Sequence, residues 1–263
     1  MAELDGSSRP LSFLTSAVAV PALPAGFGNR PALTAQMTAA IMLPGPGIAL
    51  VPMPSGEVTV MTVNQPLPGG VVKDDVAQNA LWTGWKAARA GWRSHLIVST
   101  LGMARGLEQT RAAVRDILLV AQELTLALPI DGVYWAGSDL MQAPADFRAA
   151  VAGNPLPVSV LVRCNWWQAE RAVPPKLFAQ TYGLGAFGLP ELIDETGCPD
   201  PVASHSRLLN LASYLIANGQ VIGDGETVGN DQGGVRVHHS QGLGGEPMLA
   251  LRPVEQGGAA WPR

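Results

Sequence analysis

Charge is scarce in this chain. Only 14% of its 263 residues are Asp, Glu, Lys or Arg, against roughly 25% in an average soluble domain. Lysine is the rarest of the four, with 3 residues beside 14 arginines, and no Lys/Arg cluster occurs. Nucleic acid is therefore not expected as a main partner, because neutralising phosphates needs clustered cations and the formal net charge here is −4. Cysteine is nearly absent: Cys164 and Cys198 are the whole supply. Neither sits in a C-x-x-C or at zinc-ligand spacing from a histidine, so no metal is expected and a reducing cytoplasm is the simplest setting. Long apolar runs are missing as well. Pro and Gly interrupt "AAIMLPGPGIALVPMP" before the ~18 residues a membrane span requires, so no membrane partner is expected. The opening stretch sets Glu3 and Asp5 against a single Arg9, and prolines break its apolar part, so a signal peptide is not expected either.

What the chain does have is apolar surface, at 47% of residues, enough for a sizeable core. Residues 1–35, rich in Pro, Gly, Ser and Ala, read as a flexible arm. "TAQMTAAIML" (34–43) suits a short helix. "GIALVPM" and "EVTVMTVN" read as strands joined by Pro54-Ser55-Gly56, a plausible hairpin turn. A helix over 73–92 sets Leu81, Trp85, Ala88 and Trp92 on one face, and "HLIVSTLG" (95–102) reads as a buried strand. A long amphipathic helix over 106–127 turns Val114, Ile117, Leu118, Ala121 and Leu124 inward. "GVYWAG" reads as a strand, 143–153 as a short helix, and "LPVSVLVRCNWWQ" (156–168) as the most β-like stretch of all. A helix over 202–219 ends at Asn218-Gly219, and a meander follows, with Asp224-Gly225 as a two-residue hairpin signal.

"TYGLGAFGLPEL" (181–192) holds a literal G-x-G-x-x-G in Gly183, Gly185 and Gly188. A dinucleotide fingerprint needs a strand before the loop and a full helix after it. "KLFAQTY" suits the strand, but "LPELIDETG" offers only about two turns before Gly197 and Pro199. The glycines are better read as permitting a bulge or a close backbone approach. No cofactor is expected.

This stretch carries a resemblance. Tyr182-Gly183-Leu184, Phe187-Gly188 and Pro190-Glu191, then Asn210, Tyr214 and Asp224-Gly225-Glu226-Thr227 with Gly229, resemble the uncharacterised bacterial family called domain of unknown function 4261. The likeness covers about 178–252, and more loosely 74–102. Its pattern needs Gly183 and Gly188 but not Gly185. It implies a fold and a kinship, and no activity.

Candidate groups for chemistry are few. His95 opens a buried strand and suits either a general base or a bond to backbone. His238 and His239 are strand neighbours facing opposite sides, and His205 falls in the first turn of a helix. Ser138 in "WAGSDL" has no second glycine of a nucleophile elbow. "STLGMARG" at the end of a strand is a weak candidate for lending amides to an anion. Glu191 follows the glycine stretch and suits either a catalytic carboxylate or the N-terminus of a short helix. Asn79 and Trp82, one helical turn apart, suggest a shallow pocket with His95. Trp166-Trp167 is a further exposed-aromatic candidate.

The expectation is an α+β fold of two layers, with a mixed β-sheet packed by helices and a C-terminal β-meander. It divides into the arm, an N-terminal part (36–168), a C-terminal part (169–254) and a tail (255–263), with the two main parts joined in one unit. The expected function is a cytoplasmic, non-enzymatic binding or protein-interaction module of accessory or immunity type. Asn79, Trp82, His95, Tyr182 and Glu191 are its binding candidates, another protein is its expected partner, and self-association is a second expectation. The alternative is a small hydrolase using His95 with a carboxylate such as Glu191.

Overall fold

The computed structural model describes residues 16–20, 48–63, 65–67, 82, 84–85, 91–100, 102, 104–168, 176–197, 200–229, 234–242 and 244–254. The helix expected at 34–43, most of the helix expected over 73–92, Asn79 and the tail lie outside these residues. The fold is α+β, in two compact units, Met1–Leu161 and Val162–Arg263, where one integrated unit was expected. Each unit has its own six-stranded sheet.

In the first unit the sheet runs β2-β3-β4-β1-β5-β6, from β1 (Ser16–Val20), β2 (Ile48–Met53), β3 (Gly56–Val63), β4 (Ser94–Thr100), β5 (Gly132–Trp135) and β6 (Leu140–Gln142). All its neighbours are antiparallel. β2 and β3 form the expected hairpin, in register from Met53–Gly56 to Ile48–Met61. β1 lies inside the stretch expected to be an arm, yet it pairs with both β4 and β5. A five-residue run of Ser, Ala and Val in a Pro/Gly-rich context gives little local strand signal, so its pairing comes from the neighbours on either side.

Helix α1 (Gly106–Ala127) buries all five apolar residues assigned to its inner face. It packs on β1, β3 and β4 and against α2 (Pro144–Gly153). A second apolar cluster joins Trp85, Trp92, Tyr134 and Met141 with the half-buried Trp82. Gly132 permits it, since a Cβ there would lie 3.0 Å from the Trp92 ring and 3.1 Å from that of Trp82.

The β-like run 156–168 is not one strand. Val158–Leu161 forms a single turn, α3, and only Arg163–Gln168 is a strand, β7. The amides of Val160 and Leu161 both donate to the Pro157 carbonyl, at 2.9 and 3.2 Å, and the turn buries both side chains. Burial outweighs the β preference of valine here. β7 belongs to the second sheet.

That sheet runs β10-β11-β12-β9-β8-β7, with β8 (Leu177–Tyr182), β9 (Glu191–Asp194), β10 (Thr227–Val228), β11 (Val235–Gln241) and β12 (Pro247–Pro253). It is mixed: β9 and β12 are parallel and the other pairs antiparallel. Helix α4 (Pro201–Asn218) packs on β8 and β9. Asp200 caps its start by accepting the Val202 amide at 2.9 Å, and Gly219 ends it with φ +83°.

Two local expectations change in this unit. "ELID" is strand β9, not a turn of helix, because Leu192 and Asp194 alternate inward between β8 and β12. Asp224-Gly225 does turn, with Gly225 at φ +81°, but it closes no hairpin. Residues 221–223 form no strand, and the turn leads into β10, with the Gly225 amide on the Val237 carbonyl at 2.8 Å. Gly225 alone has positive φ there, whereas a type I′ turn needs it at both central residues.

Candidate functional site

The glycine motif joins two strands of one sheet. After β8, Gly183 at φ +127° leads into a 3-10 turn, Leu184–Phe187, and Gly188 at φ +70° leads out toward β9. These two glycines occupy conformations that side chains disfavour. Gly185 does not. The loop's amides are aimed at Glu191: its Oε1 accepts from the Gly183 N–H at 2.9 Å and the Gly185 N–H at 3.0 Å. Its Oε2 accepts from Thr181 Oγ1 at 2.7 Å, and Thr181 Oγ1 in turn accepts the Leu192 amide at 2.8 Å. The groups that would cradle a phosphate are holding the chain's own carboxylate.

Burial pushes the Glu191 carboxyl above its ordinary value, against the pull of the loop amides and Thr181. Cys164 on β7 stands in register with Thr181. Burial, with the Glu191 charge adding to it, pushes the Cys164 thiol up to about 12. It stays protonated at neutral pH and is a poor nucleophile. Tyr182 lies under the buried Arg163, whose guanidinium sits 5.0 Å from the ring centre.

Three residues along β9, Asp194 is 1% exposed and fully engaged. Its Oδ1 accepts from the Thr196 amide at 3.0 Å and the Thr196 hydroxyl at 2.6 Å. Its Oδ2 accepts from Ser204 Oγ at 2.7 Å and Arg207 at 3.1 Å. The carboxylate thereby ties β9 to α4. Nearby His205 is half-buried. Its ring lies 5.3 Å from Trp166, and burial lowers its pKa. On β11, the His239 amide donates to Asp224 Oδ1 at 2.8 Å and its ring lies 3.0 Å from the Ile222 carbonyl. Asp224 thus holds the turn against β11.

In the first unit, His95 is buried, and its Nδ1 donates to the Gln65 carbonyl at 2.8 Å. Trp82 packs on the tryptophan cluster, and Asn79 lies outside the described residues. Trp82 and His95 therefore belong to one unit, Tyr182 and Glu191 to the other.

The first unit also holds a cleft of about 670 Å³. Ser55, Gly56 and Glu57 form one wall, Thr100, Gly102 and Ala104 a second, and Glu108, Gln109, Ala112 and Ala113 of α1 a third. Buried Asp116 pins the first wall to the helix: its Oδ2 accepts the Ser55 amide at 2.8 Å and the Ser55 hydroxyl as well. Gln109 Oε1 accepts the Arg105 amide at 2.8 Å, and Glu108 meets Arg111 at 2.7 Å. The "STLGMARG" stretch thus lines a concave site, although Glu57 and Glu108 make it a poor home for an anion. Among the described residues no group of three or more His, Cys, Asp or Glu side chains is placed to hold a metal ion.

Asp116, Thr181, Asp194, Ser204 and Arg207 were not singled out from sequence. Asp116 had a signal, as a carboxylate on the inward stripe of a helix. Asp194 had only a four-residue alternation in which one of the two inward side chains is charged.

The comparisons with known proteins bear on the second unit. Residues 180–251 match the family model Domain of unknown function (DUF4261). No curated protein and no solved structure matches the chain. The DUF4261 match agrees with the resemblance over 178–252 and does not extend to 74–102. It begins inside β8 and ends inside β12. The Glu191 clasp, the Asp194 network and α4 all fall within it.

Proposed function

We propose that the protein is a non-enzymatic, cytoplasmic binding module of accessory or immunity type, which holds a short segment of another protein in the cleft beside α1. The carrying observation is the make-up of that cleft. Its volume, about 670 Å³, falls in the range of ligand sites. Hydroxyl, amide and carboxylate groups alternate with small side chains, and its described lining includes no His, Cys or Lys. Such a site recognises by shape and hydrogen bonds, and the Ser55 hydroxyl in its wall is engaged by Asp116, which anchors that wall to the helix. The hydrolase reading asks His95 and Glu191 to act together, yet each is bonded to groups of its own unit. The cytoplasmic setting rests on the scarcity of cysteine.

Gly102→Trp tests the proposal. Gly102 is exposed, its backbone is outside the left-handed region, and a Cβ there meets nothing within 4 Å. The indole should fill the cleft without disturbing the fold. Affinity capture from the native host should recover a partner with the wild type and lose it with Gly102→Trp at an unchanged melting temperature. Equal recovery by both would remove the cleft from the account. Ester or amide turnover abolished by His95→Ala or Glu191→Gln would replace a binding module with an enzyme.

A further inference from the structure

The cleft beside α1 is short of positive charge. Glu57 and Glu108 stand on two of its walls, and its described lining includes no Lys, Arg or His. Arg111 meets Glu108 Oε1 at 2.7 Å along the helix. Among the described residues, no cation pairs with Glu57. Behind the first wall lies a third carboxylate. Asp116 is 5% exposed, one turn along α1 from Ala112 and Ala113, and its Oδ2 accepts the amide and hydroxyl of Ser55. It too has no Lys, Arg or His partner among the described residues. Burying a charge is costly unless it is paired as well as hydrogen-bonded, so this end of the unit lacks a counter-charge.

A metal ion is not the occupant these carboxylates suit. A divalent cation needs oxygen ligands that converge on one point, and the described residues contain no such group. Carboxylates spread over separate walls suit a cation that is itself extended. Arginine spreads five donors over a planar head, and both arginine and lysine lay an apolar stem on small side chains while the charge stays among polar groups. Ala112 and Ala113 supply that floor between the walls. The chain has no Lys/Arg cluster of its own, so the cation comes from another protein.

We infer that the segment held in the cleft is basic, and that it places an arginine or lysine with its stem on Ala112 and Ala113 and its head between Glu57 and Glu108. This specificity rests on the cleft being the binding site, as proposed above.

Selection of a phage-displayed random dodecapeptide library on the full chain tests it, followed by calorimetric titration of the selected peptides as synthetic copies. They should carry an arginine or lysine. Replacing that residue with norleucine, which keeps an apolar stem and removes the charge, should weaken binding about tenfold. Glu57→Gln/Glu108→Gln should weaken the basic peptide to the same degree and leave the norleucine copy unchanged. Asp131→Asn/Asp146→Asn removes as much charge outside the lining and should bind like the wild type. Gly102→Trp should abolish binding of both copies. Peptides lost with Gly102→Trp that lack a basic residue, or that tolerate norleucine, would overturn the inference and leave the cleft standing. An equal loss in the Asp131/Asp146 variant would overturn it as well, because net charge alone would then explain the binding. Peptides indifferent to Gly102→Trp, or a selection that yields none, would overturn the inference and the cleft together.

Discussion

Glu191 and Asp194 of the second unit are used differently from the two cleft glutamates of the first. In the second, Glu191 and Asp194 stand at the two ends of β9, three residues apart, and point every oxygen at a donor from their own surroundings. In the first, Asp116 is spent the same way, on Ser55, but Glu57 and Glu108 stand at the wall of an open cleft. The family match lies wholly in the unit that holds the Glu191 and Asp194 networks. A recognisable sequence pattern thus marks a stretch in which hydrogen bonding fixes the fold, while the concave surface lies in a part of the chain that the match does not reach. Glycine-rich loops invite a phosphate reading because their amides are unoccupied on paper. Here the occupant is Glu191, three residues past Gly188 at the start of β9.

The strongest way to break this comparison is Asp194→Ala. The substitution takes the acceptor from Ser204 and both Thr196 donors and the ion-pair partner from the half-buried Arg207, which should cost upwards of about 2 kcal/mol. Urea unfolding followed by circular dichroism measures it, and a loss under about 1 kcal/mol would show that the network is incidental. A smaller effect separates the three glycines. Gly183→Ala and Gly188→Ala force a side chain into positive φ and should each cost about 1–3 kcal/mol. Gly185→Ala should be nearly neutral, since its Cβ would meet Glu191 Oε1 at an ordinary 3.7 Å. Thermal melts rank the three, and equal losses would mean that the loop has some other constraint.

The smallest effect appears only in alkali. Cys164 is raised from 9.0 to about 12 in the folded protein. Below pH 9 the thiol is protonated in both states and its contribution is fully present. As pH rises from about 9 toward 12 the unfolded chain ionises first, so stability falls through that window. Cys164→Ala should remove this part of the alkaline loss. An alkaline profile identical to that of the wild type would show that the thiol is not protected.

Much of the architecture was legible because the helices are long and periodic. Val114 to Leu124 in α1, and Leu208 to Ile216 in α4, repeat the helical spacing over several turns. The β2–β3 hairpin carried its own turn residues. β9 and α3 were missed for one shared reason: four-residue elements are decided by what buries them, and tertiary burial is not written in local propensity. The site was legible in part. Glu191 was singled out, but its partners, the Gly183 and Gly185 amides, are backbone groups that any sequence presents. The cleft walls are drawn from three separated segments, and only the one with Thr100, Gly102 and Ala104 carries a sequence signal, as part of "STLGMARG". Asp116 meets Ser55 across sixty-one positions of chain, a distance over which no spacing argument reaches.

The central claim is that Glu191 serves the fold and that the cleft carboxylates do not. The direct measurement is equilibrium unfolding in urea of Glu191→Ala beside the double variant Glu57→Ala/Glu108→Ala, at neutral pH. Glu191→Ala unpartners two loop amides and the Thr181 hydroxyl, and part of that loss is offset by removing a buried charge. The account predicts that it loses about 1–3 kcal/mol, while the double variant stays within about 0.5 kcal/mol of the wild type. A Glu191→Ala protein as stable as the wild type, or more so, would contradict it, because a carboxylate the fold does not need is one held for chemistry.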